Sequence, residues 1–129
     1  MNSPVWIDVQ ALRLLHGESL AEHGGLSGIR DEGLLMSALA RPHNLFVYEG
    51  VTDIPRLAAA YAYGITKNHP FADGNKRAAF LCVGLFLALN GYSLQVEPEE
   101  AVNTILALAA GDLEELALTA WIAKHTVSL

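Results

Sequence analysis

A chain of 129 residues with 52% hydrophobic and 17% charged side chains has the length of one domain and ample apolar surface, which excludes a disordered chain. Its formal charge of −6 argues against a nucleic-acid-binding protein, which would show a basic face at the level of the whole domain, so no direct nucleic-acid contact is expected. Cys82, the single cysteine, lies within the apolar run AAFLCVGLFLAL, which excludes a disulfide framework and points to a buried thiol in a reducing compartment.

The N-terminal stretch MNSPVWIDVQALRLLHGESL has no basic n-region and no small-residue cleavage site. The longest apolar run, residues 78 to 89, falls short of the roughly 20 residues that a membrane span needs. A soluble, cytoplasmic protein without membrane contact is therefore expected, organised as a single domain over residues 1–129.

The first helix is expected from about Asp8 to His23, with Val9, Leu12, Leu15 and Leu20 near the helical period. His16 and His23 lie seven apart on it. With no third ligand at a metal-like spacing, both read as solvated. The segment HGGLSGIR then reads as a flexible connection, its glycines and serine ending the helix. Asp31 is a natural N-cap for EGLLMSALAR, and Pro42 is expected to close this second helix. An extended, partly apolar connection PHNLFVYEGVT follows. Asp53 caps a third helix with Pro55 in its first turn, through RLAAAYAYGITKNH, where small alanines permit close packing.

After the loop PFADG, a helix from Asn75 to Asn90 is apolar on nearly all sides and reads as the central helix. Asn90-Gly91 stops it, and YSLQV is one strand-like piece. Pro98 opens the helix EEAVNTILALAAG, and DLEELALTAWIAKH forms the last. His43 and His125 read as incidental, while Trp6 and Trp121 are expected to tie the chain ends to the core. The fold class is all-α, a compact bundle of six or seven helices around the buried helix that starts at Asn75.

The chemistry concentrates in NHPFADGNKRAAF, residues 68 to 80. Three of the eight basic residues, Lys67, Lys76 and Arg77, fall in or beside it. Asn75, Lys76 and Arg77 occupy the first helical turn, where backbone N–H groups lack intrahelical acceptors and the macrodipole is positive, which makes an anion site. Gly74 lets a bound group approach the backbone. Lys76 and Arg77 suit the developing charge of phosphoryl transfer, Asn75 is a neutral donor, and Asp73 is a hard oxygen ligand for Mg²⁺. Histidine as a residue type can accept a hydroxyl proton near neutral pH, so His69 supplies a candidate general base, and Phe71 is expected to point inward and pin the loop. Singly, each of these residues reads more simply as a core histidine, a turn or a solvated helix start. Their order and spacing favour a functional site.

HPFADGNKR resembles the signature of the Fic/Doc superfamily, His-x-Phe-x-(Asp/Glu)-Gly-Asn-x-Arg. GGLSGIRDEGLLMSALARP and FLALNGYSL are similar to segments of its Doc (death on curing) branch. The resemblance implies a compact α-helical toxin of a toxin–antitoxin pair that phosphorylates elongation factor Tu and inhibits translation. On it, His69 is the general base, Phe71 the loop anchor and Asp73 the Mg²⁺ ligand, while Asn75, Lys76 and Arg77 hold the ATP phosphates beside Gly74. The AMP-transferring pattern Gly-Asn-Gly-Arg-x-x-Arg has glycine where Lys76 stands and arginine where Phe80 stands. Both departures favour phosphoryl transfer over AMP transfer. Ser93 with Glu97, and Glu49-Gly50, only partly match the self-inhibitory motif Ser/Thr-x-x-x-Glu-(Gly/Asn). Inhibition by a separate Phd-like antitoxin, folding a C-terminal segment into a groove, is expected instead. A non-catalytic anion-binding interaction module is the alternative from another class.

Overall fold

The computed structural model describes residues 3–129, which form six helices and one small two-stranded sheet. In chain order these are α1 (Val9–His23), α2 (Glu32–Glu49), α3 (Ile54–Asn68), α4 (Asn75–Leu89), β1 (Tyr92–Leu94), α5 (Pro98–Ala110), α6 (Glu115–His125) and β2 (Thr126–Ser128). The all-α bundle read from the sequence is the architecture observed. The first three helices start alike: Asp8, Asp31 and Asp53 each accept a hydrogen bond from a backbone N–H three residues on.

The core is built on α3 and α4 together. α4 is central as its composition requires, with Ala78, Ala79, Cys82, Val83, Phe86 and Leu87 buried. α3 is buried just as deeply, without interruption from Leu57 to Ala62. Its small residues are the reason. A Cβ on Gly64 would lie 3.1 Å from the Cα of Ala38, so α2 crosses α3 at backbone contact. Phe86 packs on Trp6 and Tyr61, with ring centroids 5.9 and 5.1 Å away. Complete burial of such a ring contributes about 2 kcal/mol. Burial also pushes the Cys82 thiol up to about 12, leaving it protonated and inert.

Three sequence expectations are corrected. Pro42 does not end α2, which continues to Glu49, so the expected extended connection shrinks to residues 50–53. Proline removes one intrahelical bond, to Ala38, where the helix presses on Gly64. Continuation gains the packing of Leu45 on the core and of His43 and Phe46 on Trp6. Tertiary contact outweighs the local break. Secondly, β1 has a partner: Thr126–Ser128 pairs with it antiparallel, Ser93 opposite Val127. Thirdly, His43 and His125 are not incidental: His43 meets Trp6 edge-on with ring centroids 5.1 Å apart, and His125 Nε2 lies 3.1 Å from Glu100 while its ring leans on Trp121.

These contacts place α3 and α4 as a hairpin whose connection, residues 69–74, carries the motif. Glu115 braces the outer side of α3 by pairing with both Arg41 and Arg56. Among the described residues no helix is long and apolar enough to cross a membrane.

Candidate active site

Two helix ends meet at the motif. α3 ends on His69, whose N–H reaches back to the Ile65 carbonyl, and α4 begins at Gly74. His69 adopts φ 48 and ψ 54, the left-handed region. Among the described residues it is the non-glycine residue with positive φ, a conformation that costs about 1–2 kcal/mol. Its side chain is exposed. The chain leaves the helix at this residue, with the His69 side chain exposed and Pro70 and Phe71 buried.

The loop is fastened from within by Asn75. Its Oδ1 accepts from the Phe71 N–H at 2.9 Å, and its Nδ2 donates to the Phe71 carbonyl at 3.0 Å. Oδ1 and one Nδ2–H are therefore committed to the loop, and Asn75 also brings its backbone N–H to the first turn of α4. Phe71 is 1% exposed and sits in the core, as expected of an anchor.

A second fastening comes from α1 and was not legible as a function. His16, expected to be solvated, is buried: it stacks on Phe71 with ring centroids 3.9 Å apart. Its Nε2–H donates to the Asp73 carbonyl at 2.8 Å, which fixes the tautomer. His23, at the helix end, is exposed as expected. The helical period held the signal, because Leu12, His16, Ser19 and Leu20 share one buried face.

The third fastening is the segment between α1 and α2. The connection read as flexible is bonded along the motif: Ile29 bridges Phe71, Ala72 N–H donates to Gly28, and Arg30 and Asp31 N–H groups both donate to Pro70. Its Leu26 N–H donates to Asp73 Oδ2 at 3.2 Å, and Gly74 N–H donates to Oδ1 at 2.8 Å. These two donors, more than the nearby Arg77 charge, hold the exposed Asp73 carboxyl below the usual carboxylate range. A Cβ on Gly25 would lie 2.9 Å from Asp73 Oδ2, so the approach requires glycine.

Gly74 has φ 73, and a Cβ there would meet His16 Nε2 at 3.3 Å. No side chain caps α4, and its first turn carries Lys76 and Arg77 in place of acids. α5 and α6 also start without a side-chain cap, but they carry Glu99, Glu100 and Glu115 there. α4 thus presents uncapped N–H groups, a positive dipole end and two cations at one point. Lys76 and Arg77 also border a pocket of about 340 Å³, floored by Phe80, Ala101 and Ile105.

The motif residues are accordingly placed together in one short loop and helix start. A metal would have Asp73 as its protein ligand, since no cluster of three candidate ligands exists among the described residues. A single ionised carboxylate is compatible with Mg²⁺, which keeps several waters and is often held by one carboxylate and substrate phosphates.

The sequence model of the Fic/DOC family matches residues 6–87. The chain is 34% identical over 107 residues to "Protein kinase doc" of Escherichia phage P1, covering 83% of this chain and 84% of that protein. It is 40% identical over 101 residues to "Toxin Doc" of Mycolicibacterium smegmatis, covering 73% of this chain and 76% of the relative.

Proposed function

The chain belongs to the Fic/DOC family, and on that premise we propose that it is a toxin that transfers the γ-phosphoryl group of ATP to a Ser or Thr hydroxyl of a target protein. The carrying observation is the uncapped start of α4, with Lys76 and Arg77, next to an ionised Asp73 and an outward His69. The name of the phage relative, a protein kinase, supports the choice of reaction.

In this reading His69 accepts the target hydroxyl proton as the oxygen attacks the γ-phosphorus. The bond from that phosphorus to the β-phosphate bridging oxygen breaks, and ADP leaves. The backbone N–H groups of Asn75, Lys76 and Arg77, with the two cationic side chains, take up the phosphate charge, and Gly74 leaves room for it. Asp73 would hold Mg²⁺, which neutralises phosphate charge when bound. Asn75 and Phe71 keep the loop in place. Lys76 and Phe80, standing where the AMP-transferring pattern has glycine and arginine, support presentation of the γ-phosphate over the α-phosphate.

Elongation factor Tu is the proposed target and translation the proposed point of inhibition, both resting on likeness to the Doc branch. A cognate Phd-like antitoxin is the proposed partner, its C-terminal segment lying in a groove of the toxin. The relative named as a toxin supports that pairing.

Intact-mass measurement of elongation factor Tu after incubation with the protein, Mg²⁺ and ATP tests the reaction. One added phosphoryl group, absent with His69→Ala, is the expected result. Addition of AMP would overturn the orientation assigned to the nucleotide, and unchanged mass would overturn the target. Toxicity that survives His69→Ala would instead favour a non-catalytic binding module.

A further inference from the structure

His69 is the residue on which the proposed reaction turns, and its own neighbours do not explain why it stays in a left-handed conformation. Glycine or asparagine normally fills such a helix end. Here the chain has histidine, and the turn needs an external brace.

The brace is Arg30. Its Nε–H donates to the His69 carbonyl at 2.7 Å and its terminal Nη2 to the Asn68 carbonyl at 2.8 Å. The Arg30 and Asp31 N–H groups both donate to the next carbonyl, that of Pro70, at 2.7 and 3.1 Å. Three consecutive carbonyls, 68 to 70, are thus gripped from one side by a single stretch of chain. Asn68 is held independently, by its Nδ2 on the Leu34 carbonyl, so the residue before the turn has two anchors. The His69 carbonyl has the guanidinium.

We propose that Arg30 is a positioning residue, whose forked contact with the Asn68 and His69 carbonyls fixes the backbone of His69 and thereby aims its imidazole. The fork matters. A guanidinium presents Nε–H and Nη–H in one rigid plane, matching two neighbouring oxygens, whereas an ammonium is a point donor. The charge also lies where α3 exposes its carbonyls and negative dipole end, which keeps the arginine in place. A purely structural account predicts something different: Arg30 would stabilise the end of α3 without affecting the direction of His69.

The proposal rests on His69 being the base, so its test has one readout that does not depend on that role. In ¹³C,¹⁵N-labelled protein, the Cα and Cβ shifts of His69 report the sign of its φ. Arg30→Ala is expected to move them away from left-handed values while the shifts of Phe71 and Asn75 stay. Arg30→Lys, keeping the charge but losing the fork, is expected to move them in the same direction. Shifts of His69 that are unchanged in folded Arg30→Ala overturn the proposal, whatever the activity.

The kinetic arm uses the full chain with ATP, Mg²⁺ and elongation factor Tu, well below the melting temperature. With wild-type transfer in hand, kcat is expected to fall by about 10- to 100-fold in Arg30→Ala, with KM for ATP nearly constant and Arg30→Lys intermediate. A lowered melting temperature with kcat unchanged overturns it in favour of the structural account. If wild-type protein transfers nothing, the proposed reaction fails there, and the His69 shifts still decide whether Arg30 sets the turn.

Discussion

The two ends of α4 are opposites. The C-terminal end is tied down by hydrogen bonds: Asn90 exchanges them with Val5 through Oδ1 and Nδ2, Nδ2 also donates to the Phe86 carbonyl, and Leu129 N–H donates to the Gly91 carbonyl. At the N-terminal end there is no side-chain cap, no acid in the first turn, and two exposed cations. One end is made for stability and the other is held open at its expense. Binding capacity in this helix is what remains when capping is withheld.

That contrast can be broken most severely from the closed end. Asn90→Ala removes three hydrogen bonds and is expected to lower stability by about 2 kcal/mol, read by denaturant unfolding, while nucleotide affinity in the folded protein stays the same. A large loss of nucleotide binding there would show that the ends are not independent. Gly74→Ala is next. Its φ of 73 and the 3.3 Å approach to His16 predict about 1 kcal/mol of destabilisation, together with weakened nucleotide binding measured by calorimetry.

The third effect is smaller and opposite in sign. Arg77→Ala removes a cation from the positive end of a dipole, so the free protein is expected to gain a few tenths of a kcal/mol while losing stabilisation by ATP. A protein that melts lower without nucleotide would argue that Arg77 serves the fold.

The smallest effect concerns acid. Leu26 and Gly74 N–H groups depress the Asp73 pKa in the folded state, so this contribution is complete at neutral pH. It is lost only as pH falls through the folded-state value, below the usual carboxylate range. Asp73→Asn should remove that part of the acid unfolding curve, and superimposable curves would count against the two hydrogen bonds.

Local chemistry made much of this legible. Asp8, Asp31 and Asp53 announce helix starts because a cap acts within four residues, and the motif is contiguous because its loop and helix start are. Pro42 misled because its break is local while the gains, at Leu45 and Phe46, come from distant partners. His16 and Arg30 were missed as supports of the site for a related reason: they act on backbone carbonyls 57 and 39 residues away, and carbonyls leave no mark in a sequence. The pairing of β1 with β2 is long-range in the same sense.

Val5 bonds to Asn90 and Leu129 to Gly91, so the described first and last segments lie side by side at the closed pole of α4. The helix between that pole and Gly74 has 15 residues, a separation of about 22 Å. A linker joining those two segments would be short, and new ends could be opened elsewhere on the surface. A circularly permuted chain cut at the α5–α6 turn should therefore preserve the motif loop, and a fluorophore or surface tether placed at Leu129 would leave the His69 side accessible.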